Sequence, residues 1–79
     1  MQFNEYDVVA LTEEAPGIHQ DTNQPIVLQR GAVGTVLMDF DGQDYLIDFV
    51  DSQGVTYAME TIPGEKLMQL VHEPMLVYA

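Results

Sequence analysis

Cysteine and tryptophan are absent, and positive charge is nearly so: Arg30 and Lys66 are the only basic residues of a 79-residue chain that carries thirteen acids. Without cysteine the chain has no disulfide, no thiolate nucleophile, no Cys-based zinc site and no thiol redox couple. The scarcity of Lys and Arg argues against nucleic acid as a partner, because such binding draws most of its affinity from basic side chains that displace counterions from phosphates. Histidine is scarce too. Zinc asks for three or four ligands with nitrogen or sulfur prominent, and His19 and His72 would meet only if a loop folded onto the C-terminal tail. Both are read as incidental, and no metal or cofactor is expected. The single serine, Ser52, sits among turn formers and not on a strand-to-helix elbow. No apolar run approaches the roughly 20 residues of a spanning helix. The opening Met1-Gln2-Phe3-Asn4-Glu5 lacks the basic-then-apolar build of a signal peptide. The expected location is the cytoplasm, with no membrane contact.

What remains is a net charge of −11 on a chain that is 47% hydrophobic. That is too apolar for a disordered acidic tail. The length suits one domain, here residues 1–79 with 73–79 as a C-terminal tail. A chain this size buries only about 60–65% of its unfolded surface, so its core is thin.

Apolar residues recur with a period near two, the mark of strands. A first strand runs from Tyr6 to Thr12, with Val9 and Leu11 on one face and Val8 and Ala10 on the other. A long connection follows, from Glu13 to about Arg30, punctuated by Pro16-Gly17, Asn23 and Pro25. Ile26, Val27 and Leu28 are expected to anchor it. The second strand spans Gly34 to Phe40, with Val36, Met38 and Phe40 sharing a face. Asp41-Gly42 signals a hairpin. The third strand, Asp44 to Val50, sets Tyr45, Ile47 and Phe49 on one side. The fourth, Val55 to Thr61, sets Val55, Tyr57 and Met59 together and leaves Ala58 off the core. Pro63-Gly64-Glu65-Lys66 breaks the sheet in one short helical turn, and Leu67 to Val71 supplies a fifth strand. The expected fold is therefore all-β: a small five-stranded barrel with a long first loop.

Glu5-Tyr6-Asp7-Val8-Val9-Ala10-Leu11-Thr12-Glu13-Glu14 resembles the opening of a family of short bacterial proteins known as domain of unknown function 4926. Gly31-Ala32-Val33-Gly34-Thr35-Val36, Asp44-Tyr45-Leu46-Ile47-Asp48-Phe49-Val50-Asp51 and Lys66-Leu67 extend the resemblance over residues 5 to 71. It implies an SH3-like barrel in which the first strand, the three-stranded meander and the last short strand close on one core. It implies almost nothing about function. The loop from Pro16 to Leu28 and the apolar tail from Glu73 to Ala79 both exceed the family pattern.

No constellation points to catalysis. Asp39-Phe40-Asp41-Gly42-Gln43-Asp44 misses the glycine at the sixth and glutamate at the twelfth position of a calcium loop. Gly31-Ala32-Val33-Gly34 lacks the Lys-Ser/Thr of a phosphate loop and leads into a strand. A small enzyme is the least favoured reading. The leading expectation is a non-catalytic acidic module that binds a protein, in particular a basic one, in an accessory or antitoxin- or immunity-like role. Its candidate contact residues are Ile18, His19 and Asp21 of the long loop, Tyr45 and Tyr57 if their rings reach the surface, and Met75, Val77 and Tyr78 of the tail. The alternative is a decoy that mimics nucleic acid with a row of carboxylates, Asp39, Asp41, Asp44, Asp48 and Asp51. Apolar residues off the inferred core faces (Val8, Ala10, Leu37, Leu46 and Ala58) need a cover. Either the tail folds back over them, or the tail or an edge strand pairs with a second copy in a homodimer.

Overall fold

The computed structural model describes residues 2–70 and residue 78. Among these the fold is all-β apart from one 3-10 turn. The strands are β1 (Val8–Leu11), β2 (Ala15–Ile18), β3 (Pro25–Leu28), β4 (Val33–Phe40), β5 (Asp44–Val50), β6 (Thr56–Pro63) and β7 (Leu67–Gln69). Five of them form one antiparallel sheet in the order β6-β5-β4-β1-β7, and β2 and β3 form a separate two-stranded hairpin. The expected all-β fold holds; among the described residues it consists of a five-stranded sheet, not closed into a barrel, with a two-stranded hairpin beside it. The long first connection is that hairpin. Its backbone groups pair with one another because a stretch this long, lying against a core, would otherwise leave them unsatisfied.

The core lies on one face of the large sheet. Val9 and Leu11 of β1, Val36 of β4, Tyr45, Ile47 and Phe49 of β5, Ala58 and Ile62 of β6, and Leu67 of β7 are all buried there. Ala15 and Leu28 enter from the hairpin, and Phe3 enters from the N-terminal segment. Strict alternation on β5 is why its three large side chains all point inward. Burying each contributes about 2–3 kcal/mol. Phe3 closes the lower end: its ring meets Tyr45 edge-on at 5.2 Å, and its amide donates to the Tyr45 hydroxyl at 3.2 Å.

The structure corrects two face assignments. The β4–β5 register shifts between Val36 and Met38. The extra residue, Leu37, rotates everything after it, so Val36 is buried while Met38 and Phe40 emerge on the opposite face at 47% and 39% exposure. On β6 the inward residues are Ala58 and Ile62, opposite Phe49 and Tyr45. The β5–β6 register slips between Phe49 and Val50, which pair with Ala58 and Thr56, so Tyr57 is the extra residue; Val55 and Met59 are exposed. The hairpin and the short turn follow expectation. Asp41 and Gly42 both adopt positive φ, 59° and 72°, as a tight turn matched to strand twist requires. Gly64–Lys66 forms the 3-10 turn.

Gly34 sits where β4 passes closest to β5. A Cβ there would stand 2.5 Å from Ile47 Cγ2 and 2.8 Å from the Asp48 carbonyl oxygen. Both neighbours are fixed, one by the core and one by the ladder. Gly34→Ala is expected to cost about 2–3 kcal/mol through overpacking, read as a lower urea midpoint. Val33→Ala, one residue away and facing outward, should stay within about 0.5 kcal/mol of the parent.

Candidate functional site

Two surfaces carry unusual chemistry. The first is the tip of the β2–β3 hairpin. His19 organises it: its amide donates to the Gln24 carbonyl, and its carbonyl accepts from the Asn23 amide, each at 2.9 Å. Its Nδ1 accepts from the amides of Asp21 at 3.1 Å and Thr22 at 3.4 Å. His19 is therefore a structural element of the turn and not an incidental surface residue. Two bonds tie the hairpin to β6. The Ile18 amide donates to Glu60 Oε2 at 2.8 Å, and the Gln20 amide donates to the Tyr57 carbonyl at 2.8 Å. These cover part of the free edge of β6, an edge that would otherwise invite pairing.

The structure thus brings Ile18, His19, Asp21 and Tyr57 together. Tyr57 is half-buried and packs on the core. Burial first, and the Asp51 carboxylate second, raise its pKa. Tyr45, also a candidate contact, is fully buried. Its place beneath Phe3 in the core removes it from any contact surface. Tyr78 is 86% exposed. Met75 and Val77 lie outside the described residues, as does His72.

The second surface is the outer face of the five-stranded sheet, which sequence reasoning missed as a unit. Directly paired residues share a face, so the ladder defines its rows. Met68, Ala10 and Val33 form one row. Val8, Thr35, Asp48 and Met59 form the next. Met38, Leu46 and Thr61 form the third, and Phe40, Asp44 and Pro63 the last. Met38, Phe40, Met59 and Met68 are exposed large hydrophobics. Ala10 is buried yet stands apart from the core cluster, as its outward register requires. Neither base lies on this face. Lys66 is in the 3-10 turn and pairs with Glu13 at 3.4 Å, and Arg30 lies between β3 and β4. The only signal in the sequence was the set of apolar residues off the core faces.

The carboxylate row of the decoy reading is interrupted. Asp44 and Asp48 share the outer face but flank Leu46. Several of these acids serve the fold: Asp39 Oδ1 accepts from the Gly42 amide at 2.6 Å, Asp51 Oδ1 from the amides of Gln53 and Val55, and Asp48 Oδ1 from the Thr56 hydroxyl at 2.6 Å. An open depression of about 430 Å³ is lined by Gly42, Gln43, Asp44, Pro63, Gly64 and Glu65. Asp44 and Glu65 are its titratable groups, and both are exposed. No group of three or more potential metal ligands occurs among the described residues, and no helix among them is long and apolar enough to cross a membrane.

Two outcomes are expected. Glu60→Ala should cost about 1 kcal/mol and speed hydrogen exchange at the Ile18 amide. For Tyr57, the folded state holds the proton more tightly than the unfolded chain. Stability is then retained below the ordinary tyrosine value of 10.0 and lost as pH rises through the higher folded value. Urea midpoints measured from pH 8 upward should fall less steeply in Tyr57→Phe than in the parent.

No curated protein matches the chain. No solved structure matches it either. A family model does, over residues 5–69, a span that takes in every strand from β1 to β7 and both candidate surfaces. The chain belongs to the family described as Domain of unknown function (DUF4926).

Proposed function

We propose that this chain is a non-catalytic protein-binding module, built on an SH3-like barrel, that engages a basic partner in an accessory or neutralising role. The barrel reading draws support from the way β1, the β4–β5–β6 meander and β7 gather on a single core. The functional reading rests chiefly on one observation: the outer sheet face exposes Met38, Phe40, Met59 and Met68 beside Asp44 and Asp48 and carries no basic side chain among its paired residues. Contiguous exposed apolar area of this kind marks interaction surfaces. Three methionines supply much of it, and their flexible, polarisable side chains adapt to a partner's shape. A surrounding field from eleven uncompensated negative charges steers basic proteins toward it. The hairpin tip, with Ile18 and Asp21 exposed, extends the acidic rim.

The test is site-specific photo-crosslinking in cells of the encoding organism. A photoreactive residue at Met59 should capture a basic protein. The same residue at Gln53, in the β5–β6 turn, should not. Equal capture from both positions would overturn the assignment of the face. Capture of a second copy of this chain alone would replace the basic partner with a homodimer.

A further inference from the structure

Phe40 and Asp44 are opposed across the β4–β5 hairpin, as the last pair of that ladder. Directly paired residues share a face, with Cβ atoms about 5 Å apart. The shared face is the outer one, because Tyr45, the next residue on β5, is fully buried on the other side. Phe40 keeps 39% of its surface exposed, and Asp44 is exposed. On its other flank Asp44 pairs with Pro63 of β6. A carboxylate thus stands on the middle strand of the meander, between an aromatic residue and a proline, with Leu46 next along the same face.

Asp44 differs from the other acids of the meander. Asp39, Asp48, Asp51 and Glu60 each accept a hydrogen bond from the fold. Asp44 accepts none and joins no ion pair among the described residues. Aspartate is also a poor strand former, so neither bonding nor propensity accounts for it here. The open depression of about 430 Å³ adjoins it: Asp44 and Pro63 belong both to the outer row and to its wall, and Glu65 lines the same wall. That volume lies at the small end of the roughly 300–1,000 Å³ range of ligand pockets. A small-molecule site encloses most of its ligand, whereas this recess is open. An open recess beside an apolar face suits a side chain presented by a protein.

We infer that Asp44, Phe40 and the depression beside them receive an arginine side chain of the partner protein. A guanidinium is planar. Its edge pairs two N–H groups with a carboxylate, and its flat face stacks on an aromatic ring. A carboxylate and a ring opposed on adjacent strands offer both contacts to one group. A lysine ammonium has the charge but neither the fork nor the plane. Glu65 adds negative charge to the recess, and Lys66, the base next to it in sequence, is engaged by Glu13. The inference rests on the protein-binding reading above and adds one anchor with its chemistry: the partner's arginine at this corner, and its apolar side chains on Met38 and Met59 further along the face.

The probe is a short blocked peptide with one arginine between leucines, titrated at about 0.15 M salt into labelled protein. Peptides with citrulline or lysine in place of arginine are the controls. Shifts are expected at the Phe40 ring, at the amides of Gln43, Asp44 and Glu65, and at the Met38 methyl. Asp44→Asn and Phe40→Leu should each weaken the arginine peptide roughly two- to fivefold, and Asp44→Asn should erase the preference for arginine over lysine. Both change exposed side chains, so Tm should stay within about 4 °C of the parent. Asp21→Asn removes an equal charge at the hairpin tip and should change affinity less. Shifts on Met38 and Met59 that persist at undiminished affinity in Asp44→Asn and Phe40→Leu would overturn the arginine anchor and leave the protein-binding reading standing. Citrulline binding as tightly as arginine, or no shift at Phe40 and Asp44 at millimolar peptide, would do the same, since crosslinking at Met59 decides that reading separately. Equal affinity for acetyl-arginine amide, which lacks the leucines, would make this a site for small guanidinium compounds and overturn the commitment to a protein side chain.

Discussion

Val36 is the residue around which the two faces of this sheet are sorted. Its side chain is fully buried. Its amide and carbonyl bond across to Asp7 and Tyr6 on one side, and its partner on the other side is Ile47. On each side of it one extra residue enters the ladder, Tyr6 toward β1 and Leu37 toward β5. A one-residue slip moves every following side chain to the opposite face. Before the bulge, β4 sends Gly34 and Val36 inward; after it, Met38 and Phe40 point outward. Core and outer surface are thus both products of the backbone at Val36. The close passage at Gly34, where no Cβ fits against Ile47, holds β4 against β5 just before the bulge and keeps it in register.

The distribution of charge follows from the same frame. Thirteen acids on so small a body repel one another, and that repulsion works against the compact state. The fold lessens the cost by giving carboxylates local donors. Asp39 and Asp51 close the turns at the two ends of β5, Asp48 binds Thr56 across the β5–β6 ladder, and Glu60 holds the hairpin. Each exchanges bulk water for a charge-assisted bond of comparable strength. The acids left without such roles, Asp21, Asp41 and Asp44 among them, stand at turns and on the outer face. Asp44 is the one among them that stands beside the exposed apolar side chains of the sheet.

Much of this was legible in the sequence. Alternation on β5 placed Tyr45, Ile47 and Phe49 inside, Asp41-Gly42 marked its turn, and Pro63-Gly64-Glu65-Lys66 marked the 3-10 turn. These features depend on local periodicity and turn chemistry, both of which are written in a few adjacent residues. Bulges are not. Nothing in Val36-Leu37-Met38 distinguishes a continuous strand from an interrupted one, since each residue is apolar and the choice is made by pairing with β5. Ala58 was misread for a related reason. Periodicity alone favours Tyr57 and Met59 as core, but the register slip between Phe49 and Val50 makes Tyr57 the extra residue and sets Ala58 opposite Phe49. The hairpin hidden in the first connection carried weak signals, because Pro16, Gly17 and Pro25 are poor strand formers. They serve there because the hairpin is short and lies at a margin. The hairpin tip could be named from its turn residues, whereas the methionine face could be seen only once the rows were aligned.

That alignment shows a division of labour across the outer surface. Met38, Met59 and Met68 are unbranched and rotate freely when exposed, so they tolerate many shapes but lose side-chain entropy on being ordered. An aromatic side chain loses less, having two torsions and a rigid ring. A docking surface made only of methionine would bind loosely and without direction. Phe40, the exposed aromatic of that face, supplies orientation at small entropic cost. On the protein-binding reading the rigid ring of Phe40 and the softness of the methionines are complementary: the ring fixes a direction of approach, and the methionines accommodate the apolar shape that accompanies it.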